Sequence, residues 1–278
     1  MVKKTYREVL TRASSFLEEQ GKEGYGIQFL FLERKNWTKT DWLLKMNEEI
    51  SQEDEKQIQE DLAALLQDQP PQYLLGYADF YGHRLQVTPA TLIPRPETEE
   101  LVELCLKETS EENLKVVDVG TGTGAIAISL KLARPAWQVI ATDISEAALT
   151  VAKHNAQQLQ ADIDFRLGDT LAPLQGEKID ILISNPPYIS EAEWEIMDES
   201  VRMYEPKTAL FAKNDGLAVY QKLALESRDL LKPDGKIFLE IGFQQGAAVK
   251  EIFSKAFPKK SVQIFQDMAK LDRMIVVS

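Results

Sequence analysis

The run Val116-Val117-Asp118-Val119-Gly120-Thr121-Gly122-Thr123-Gly124-Ala125 limits the possible folds of this chain more sharply than any other stretch. It opens with the β-branched bulk of a buried strand, passes through glycines alternating with threonine, and leads into an apolar helical pattern over 125–133. A strand that feeds a glycine turn and then a helix is the opening unit of an α/β sheet. Glycine takes left-handed backbone freely and lets the main chain approach a ligand closely. The next strand pattern ends Ala141-Thr142-Asp143, so a carboxylate arrives about twenty residues downstream, where it can accept both hydroxyls of a ribose. Ser145 then caps the following helix. These features predict a nucleoside at the strand ends, a tight βα turn with an incidental aspartate being the alternative. The loop does not choose the nucleoside, because Gly120, Gly122 and Ala125 also satisfy the dinucleotide pattern and leave NAD and S-adenosylmethionine both open.

From Lys115 onward strands and helices alternate, which predicts a doubly wound parallel sheet with strands at 115–119, 138–142, 163–167, 179–184 and 235–241. Two further β-like runs, 261–266 and 273–277, have no helix between them and should pair antiparallel. The expected fold is α/β, a seven-stranded sheet closed by a terminal antiparallel hairpin. Upstream, 6–68 reads as helical throughout, with Val9, Leu10, Ala13, Phe16 and Leu17 at three- and four-residue intervals. Ser51 with Asp54 reads as a capping box, and Pro70-Pro71 stops that helix. The expected organisation is a small helical bundle over 1–72, a β-hairpin connector over 73–96 broken by Gly82, and the α/β domain over 97–278. The bundle offers no catalytic constellation and reads as a recognition or packing module.

Asn185-Pro186-Pro187-Tyr188 follows the apolar run 179–184, so a stiff, polar-tipped tetrapeptide stands where a buried strand ends. Successive prolines fix φ and lack N–H groups, leaving nearby carbonyls free to accept hydrogen bonds. With the Asn185 carbonyl and the flat face of Tyr188, they make a clamp for a planar NH2 group: two acceptors for its hydrogens and a ring against its plane. Taken alone, the tetrapeptide could equally be a proline-stiffened loop. After the third strand, Gly168-Asp169-Thr170 is expected beside an adenine, with Asp169 accepting from its exocyclic amine.

The net charge of −12 sets a repulsive background for a polyanion, and Arg34-Lys35 and Lys259-Lys260 are only pairs, so no direct nucleic-acid binding is expected. The single cysteine, Cys105, excludes an internal disulfide and a Cys-rich metal site, and reads as a core residue. His83 and His154 are too few and too separated for a metal centre, so no metal is expected. No stretch approaches the roughly 20 apolar residues of a membrane span, so the expected location is cytoplasmic.

At this level of detail the chain resembles the class I S-adenosylmethionine-dependent methyltransferases, and closely resembles the HemK/PrmC family, the bacterial peptide chain release factor glutamine methyltransferases. The resemblance runs over nearly the whole length. It is carried by Thr88-Pro89-Ala90-Thr91-Leu92-Ile93-Pro94-Arg95-Pro96-Glu97-Thr98-Glu99, the loop from Asp118 to Ala125, Asn185 to Tyr188, Tyr204-Glu205-Pro206, Leu239-Glu240-Ile241-Gly242 and Asp272-Arg273. It implies that Gly120, Thr121, Gly122, Thr123, Gly124, Asp143 and Asn185 contact S-adenosyl-L-methionine, and that Asn185, Pro186, Pro187 and Tyr188 hold a glutamine. Asn185, Pro186 and Tyr188 would then carry the catalysis. Asp169 and Thr170 join the cofactor set at the adenine, although some family members have an aromatic residue where Thr170 stands. The implied partners are class I release factors, methylated on the glutamine of a Gly-Gly-Gln motif. Two other classes stay in view. Methyltransferases of adenine or guanine amino groups also grip a planar NH2 with N-P-P-Y, and a nucleotide-binding dehydrogenase or non-catalytic module would leave that tetrapeptide without a role. Arg95, Glu97 and Glu99 are expected at the hairpin-to-sheet junction.

Overall fold

The computed structural model describes residues 4–278. The chain divides into two compact units. One runs up to Tyr77 and also takes Asp198–Tyr204, and the other holds Ala78–Met197 and Glu205–Ser278. This division differs from the expected boundaries, which left 198–204 in the α/β domain. That segment carries a short helix, Glu199–Tyr204, and the Tyr204 hydroxyl donates to the Gln67 carbonyl at 2.8 Å. Residues 1–3 of the expected bundle lie outside the described residues.

The first unit is built from α1 (Tyr6–Glu19), α2 (Tyr25–Lys35), α3 (Lys39–Lys45), α4 (Gln52–Leu65) and α5 (Pro71–Leu75). Thr5 with Glu8 and Thr38 with Asp41 form reciprocal capping boxes that start α1 and α3, and left-handed Asn36 ends α2. Leu17, Ile27, Leu30 and Ile58 are fully buried at the centre, with the Phe31 and Trp37 rings edge to face at 5.3 Å. The Ser51 box is only half made. Ser51 Oγ accepts the Asp54 N–H at 3.0 Å, but the Asp54 carboxylate is taken by the Tyr6 hydroxyl at 2.8 Å and the Lys35 ammonium at 3.0 Å. A buried acid prefers a phenol and a cation to its own helix end.

Next come β1 (Tyr77–Phe80) and β2 (His83–Gln86), paired in a two-stranded sheet, and then α6 (Pro96–Lys107). α6 opens on a proline whose missing N–H costs nothing there, and it buries Thr98, Leu101, Val102 and Cys105 along one face. The α/β core follows as β3 (Lys115–Val119), α7 (Ala125–Ala133), β4 (Gln138–Asp143), α8 (Glu146–Gln158), β5 (Asp164–Leu167) and β6 (Ile179–Ser184). It continues through α9 (Ala218–Leu230), β7 (Leu231–Glu240), α10 (Gly246–Ala256), β8 (Val262–Gln266) and β9 (Asp272–Val277). The sheet order is β5-β4-β3-β6-β7-β9-β8. β3 pairs parallel with both β4 and β6, while β9 lies antiparallel between β7 and β8, as expected of the terminal hairpin.

Both faces of the sheet are covered, which is why its central strands read as continuous apolar runs rather than alternating ones. Leu101, Ile128, Trp137 and Phe238 fill one layer, and Leu182, Tyr220, Phe253 and Ile275 the other. The chain moves outward from β3 to β5 and then returns to the other side of β3 at β6. That reversal opens a crevice at the carboxyl ends of β3 and β6, where doubly wound sheets bind ligands.

Candidate active site

Two left-handed glycines, Gly120 at φ +71° and Gly122 at φ +55°, shape one wall of the crevice, and a third, Gly124 at φ +83°, leads the chain into α7. The N–H groups of Gly120 and Thr121 both donate to the Thr142 carbonyl, at 2.9 and 3.0 Å, which ties the loop to the end of β4. Asp143 sits at that end. Its two carboxylate oxygens accept from the Gly122 and Ser145 N–H groups, each at 2.9 Å, and burial holds its carboxyl above the usual range. Each oxygen keeps a lone pair for a further donor such as a ribose hydroxyl. A Cβ built on Gly120 or Gly122 meets no atom within 4 Å, so these glycines border open space that a side chain would begin to fill.

The crevice encloses about 320 Å³ and brings together Gly120, Gly122, Asp143, Asp169, Thr170, Asn185, Pro186 and Pro187. Thr121, Thr123, Gly124 and Tyr188 are not on its wall. The Thr121 hydroxyl donates to Asp118 Oδ2 at 2.6 Å, the Thr123 carbonyl accepts from Asn155 Nδ2 at 2.9 Å, and Gly124 caps α7. These residues hold the loop's shape from beneath. Tyr188 is half-buried against the second core layer, and burial pushes its phenol up to about 12. Its main-chain carbonyl accepts from Gln245 Nε2 at 3.0 Å.

Asp169 faces the crevice, but its carboxylate is already paired with the Lys222 ammonium. Thr170 adopts a left-handed conformation, φ +54°, and its hydroxyl donates to Glu226 Oε2 at 2.6 Å. Its side chain is therefore engaged by α9.

Several residues that hold the site together had no role in the sequence reading. Asn185 Nδ2 donates to Thr98 Oγ1 at 3.0 Å, and that hydroxyl donates to Glu240 Oε2 at 2.6 Å. Burial lifts the Glu240 carboxyl to about 7. Glu205, its side chain almost wholly buried, accepts from the Ile93 N–H at 3.1 Å and from Arg95 Nη2 at 2.5 Å. Arg95 is thus fixed by Glu205, while Glu99 accepts the Tyr81 N–H at 2.8 Å. Asp118, fully buried under the glycine loop, leaves Oδ1 without a partner, and burial lifts its carboxyl to about 7. The motif letters containing Thr98, Glu205 and Glu240 were the available signal, but a motif does not say which of its members touch.

Among the described residues no group of three or more His, Cys, Asp or Glu side chains could hold a metal ion, and no helix is long and apolar enough to cross a membrane. Cys105 is buried in α6, and burial pushes its thiol up.

Strand order, glycine loop and antiparallel closing strand define a class I methyltransferase fold. A methyltransferase from Pyrococcus furiosus shares it at a TM-score of 0.55 and 18% identity, over 77% of this chain and 95% of that one. Residues 98–212 match the methyltransferase small domain, and residues 8–76 match the PrmC N-terminal domain. The release factor glutamine methyltransferase of Enterococcus faecalis is 64% identical over 98% of this chain and 99% of its own length. The Streptococcus pneumoniae protein of the same name is 46% identical over 95% and 96%. The chain belongs to the HemK/PrmC family of release factor glutamine methyltransferases.

Proposed function

We propose that this chain methylates the side-chain amide nitrogen of the glutamine in the Gly-Gly-Gln motif of class I peptide chain release factors. S-adenosyl-L-methionine is the donor and S-adenosyl-L-homocysteine the product. The observation that carries the reading is that Asn185, Pro186 and Pro187 share one crevice with Gly120, Gly122 and Asp143. An amide clamp and a nucleoside cradle are then within one cavity. The residues fit the donor: open glycine backbone, a strand-end acid with free lone pairs, and Asp169, whose Oδ2 is paired with Lys222 and whose Oδ1 is left for an exocyclic amine. S-adenosyl-L-methionine supplies an electrophilic methyl group when bound.

An amide nitrogen is a poor nucleophile, because its lone pair is delocalised into the carbonyl. The site must orient it. The Asn185 side-chain oxygen and the Pro186 main-chain oxygen accept the two N–H bonds, which draws electron density onto nitrogen and aims its lone pair into the crevice. Holding the partners in attack geometry can contribute on the order of 7–11 kcal/mol. The same carbonyl dipoles stabilise positive charge developing on nitrogen. No base has to act first, since the methylated nitrogen is strongly acidic and loses its proton afterwards. Tyr188 contributes through its main chain, which anchors the tetrapeptide, while its ring packs half-buried against the second core layer rather than on the crevice wall.

The acceptor is assigned to protein by the names of the full-length relatives and by the acidic charge of the chain. This reading carries with it a cytoplasmic location and no direct contact with nucleic acid. Transfer of radiolabelled methyl tests it: label should enter release factor and not tRNA, rRNA or DNA. A release factor with the acceptor glutamine replaced should take up none, and label persisting in that variant or appearing in nucleic acid would overturn the reading.

A further inference from the structure

The Asn185 amide is useful as an acceptor only if its oxygen, not its nitrogen, faces the substrate. An asparagine side chain can take either orientation, and the two are nearly isosteric. Here the choice is made two residues away. Thr98 on α6 has one hydroxyl hydrogen, and it is committed to Glu240 Oε2 at 2.6 Å. The remaining capacity of Thr98 Oγ1 is to accept, and it accepts from Asn185 Nδ2 at 3.0 Å. Flipping the amide would set the Asn185 oxygen against a hydroxyl oxygen with no hydrogen to offer, losing one hydrogen bond and adding lone-pair repulsion. Oδ1, on the other arm of the planar amide, makes no hydrogen bond among the described residues, and Asn185 stands on the crevice wall.

The far end of this chain is itself fixed. Glu240 is buried at the end of β7, and its main-chain carbonyl accepts from the Tyr220 hydroxyl at 2.8 Å. Arg273 on β9 donates to the neighbouring Ile241 carbonyl at 3.3 Å and places a cation beside the glutamate. When its carboxyl is ionised, Glu240 accepts the Thr98 hydrogen in a strong, directional bond. Three elements, α6, β6 and β7, thus converge on one donor chain that runs Asn185 to Thr98 to Glu240. We infer that Thr98 and Glu240 are positioning residues for methyl transfer, a donor relay that locks the Asn185 amide with its oxygen turned to the acceptor nitrogen. The inference rests on the proposed amide-methylating reading for its catalytic consequence, but not for its geometry.

Thr98→Val keeps the shape of the side chain and removes only the hydroxyl, and Thr98→Ser restores it. In the full-length protein Thr98→Val should lower kcat for release factor methylation about 10- to 100-fold, the scale of a misplaced reactive group. The dissociation constant for S-adenosyl-L-homocysteine should stay within about twofold, because the methyl-donor cradle is untouched. Thr98→Ser should recover most of the rate. The Asn185 side-chain NH2, followed by 15N-resolved hydrogen exchange, should be protected in the wild type and in Thr98→Ser and exchange freely in Thr98→Val. Thr98→Ala serves the same purpose if the valine variant does not fold. An unchanged kcat in the hydroxyl-free variant, or an equally protected Asn185 amide, would overturn the relay. Failure of the wild type to methylate release factor would instead remove the proposed function, while the amide exchange still decides the relay.

Discussion

Gly216 lies so close to Tyr188 that a Cβ on the glycine would stand 2.0 Å from the Tyr188 carbonyl oxygen. The same glycine sits at φ +79°, and Gln245 bridges the two strands of backbone by donating to the carbonyls of Tyr188 at 3.0 Å and Asp215 at 3.2 Å. The end of N-P-P-Y is therefore held by main-chain contact that tolerates no side chain. Gly216→Ala should cost on the order of 3 kcal/mol from left-handed strain and the displaced backbone, and should lower methyl transfer as the tetrapeptide shifts. Urea unfolding and turnover measured on the same preparation check both. Wild-type values for both would show that the loop absorbs the methyl group.

Glu205 ties Ile93 and Arg95 to the far side of the site with a buried carboxylate. Glu205→Ala leaves the Ile93 N–H and the Arg95 guanidinium without that acceptor. The expected loss is about 3 kcal/mol, read as a lower midpoint in denaturant, because breaking a buried pair strands its partner. A double variant with Arg95→Ala should lose less than the sum of the single changes.

The helix–strand alternation, the glycine loop and the terminal hairpin were legible in the sequence because each is a local pattern: bulky apolar runs, a fixed glycine spacing, and two strands with no helix between them. The crevice was legible too, since topology brings the ends of β3 and β6 together. What the sequence did not reveal depends on contacts between distant positions. Asn185 and Thr98 are 87 positions apart, and Thr98 and Glu240 are 142 apart, so no periodicity links them. Local spacing also placed Thr121, Thr123 and Gly124 with the loop but could not show that they support it from beneath. Nor could it show that Asp54 would desert its capping box for Tyr6 and Lys35.

Burial lifts the carboxyl of Asp118 to about 7 and that of Glu240 to about 7, whereas in the unfolded chain both titrate near ~4. The folded protein therefore holds protons that the unfolded chain has released between about pH 4 and about pH 7. The unfolded state binds fewer protons there, so these two acids make stability fall as pH rises through that window. Carboxyls held below their usual range, such as Asp54 and Glu177, act at lower pH and in the opposite sense. Unfolding temperature measured from pH 5 to pH 8 should decline, and Asp118→Asn, which cannot ionise, should flatten part of the slope. A wild-type curve level or rising through this range would contradict the assignment.

Asp143 anchors the glycine loop through Gly122 and accepts from the Ser145 N–H, and it is the proposed acceptor for the ribose hydroxyls. Asp143→Ala should weaken S-adenosyl-L-homocysteine binding by about 2–3 kcal/mol, the worth of lost charge-assisted hydrogen bonds, while the fold stays intact by circular dichroism. Isothermal titration gives the affinity directly, and an unaltered constant would remove Asp143 from the cofactor site.

Asn185 is the proposed clamp on the glutamine amide during methyl transfer. The most direct measurement of that role is peptide mass spectrometry of release factor treated with wild-type or Asn185→Ala protein at saturating S-adenosyl-L-methionine. The wild type should place one methyl group on the Gly-Gly-Gln glutamine, and the variant should do so at a rate at least about 100-fold lower, a larger loss than that in donor binding. Equal methylation by the two proteins, or a methyl group on any other residue, would contradict that role.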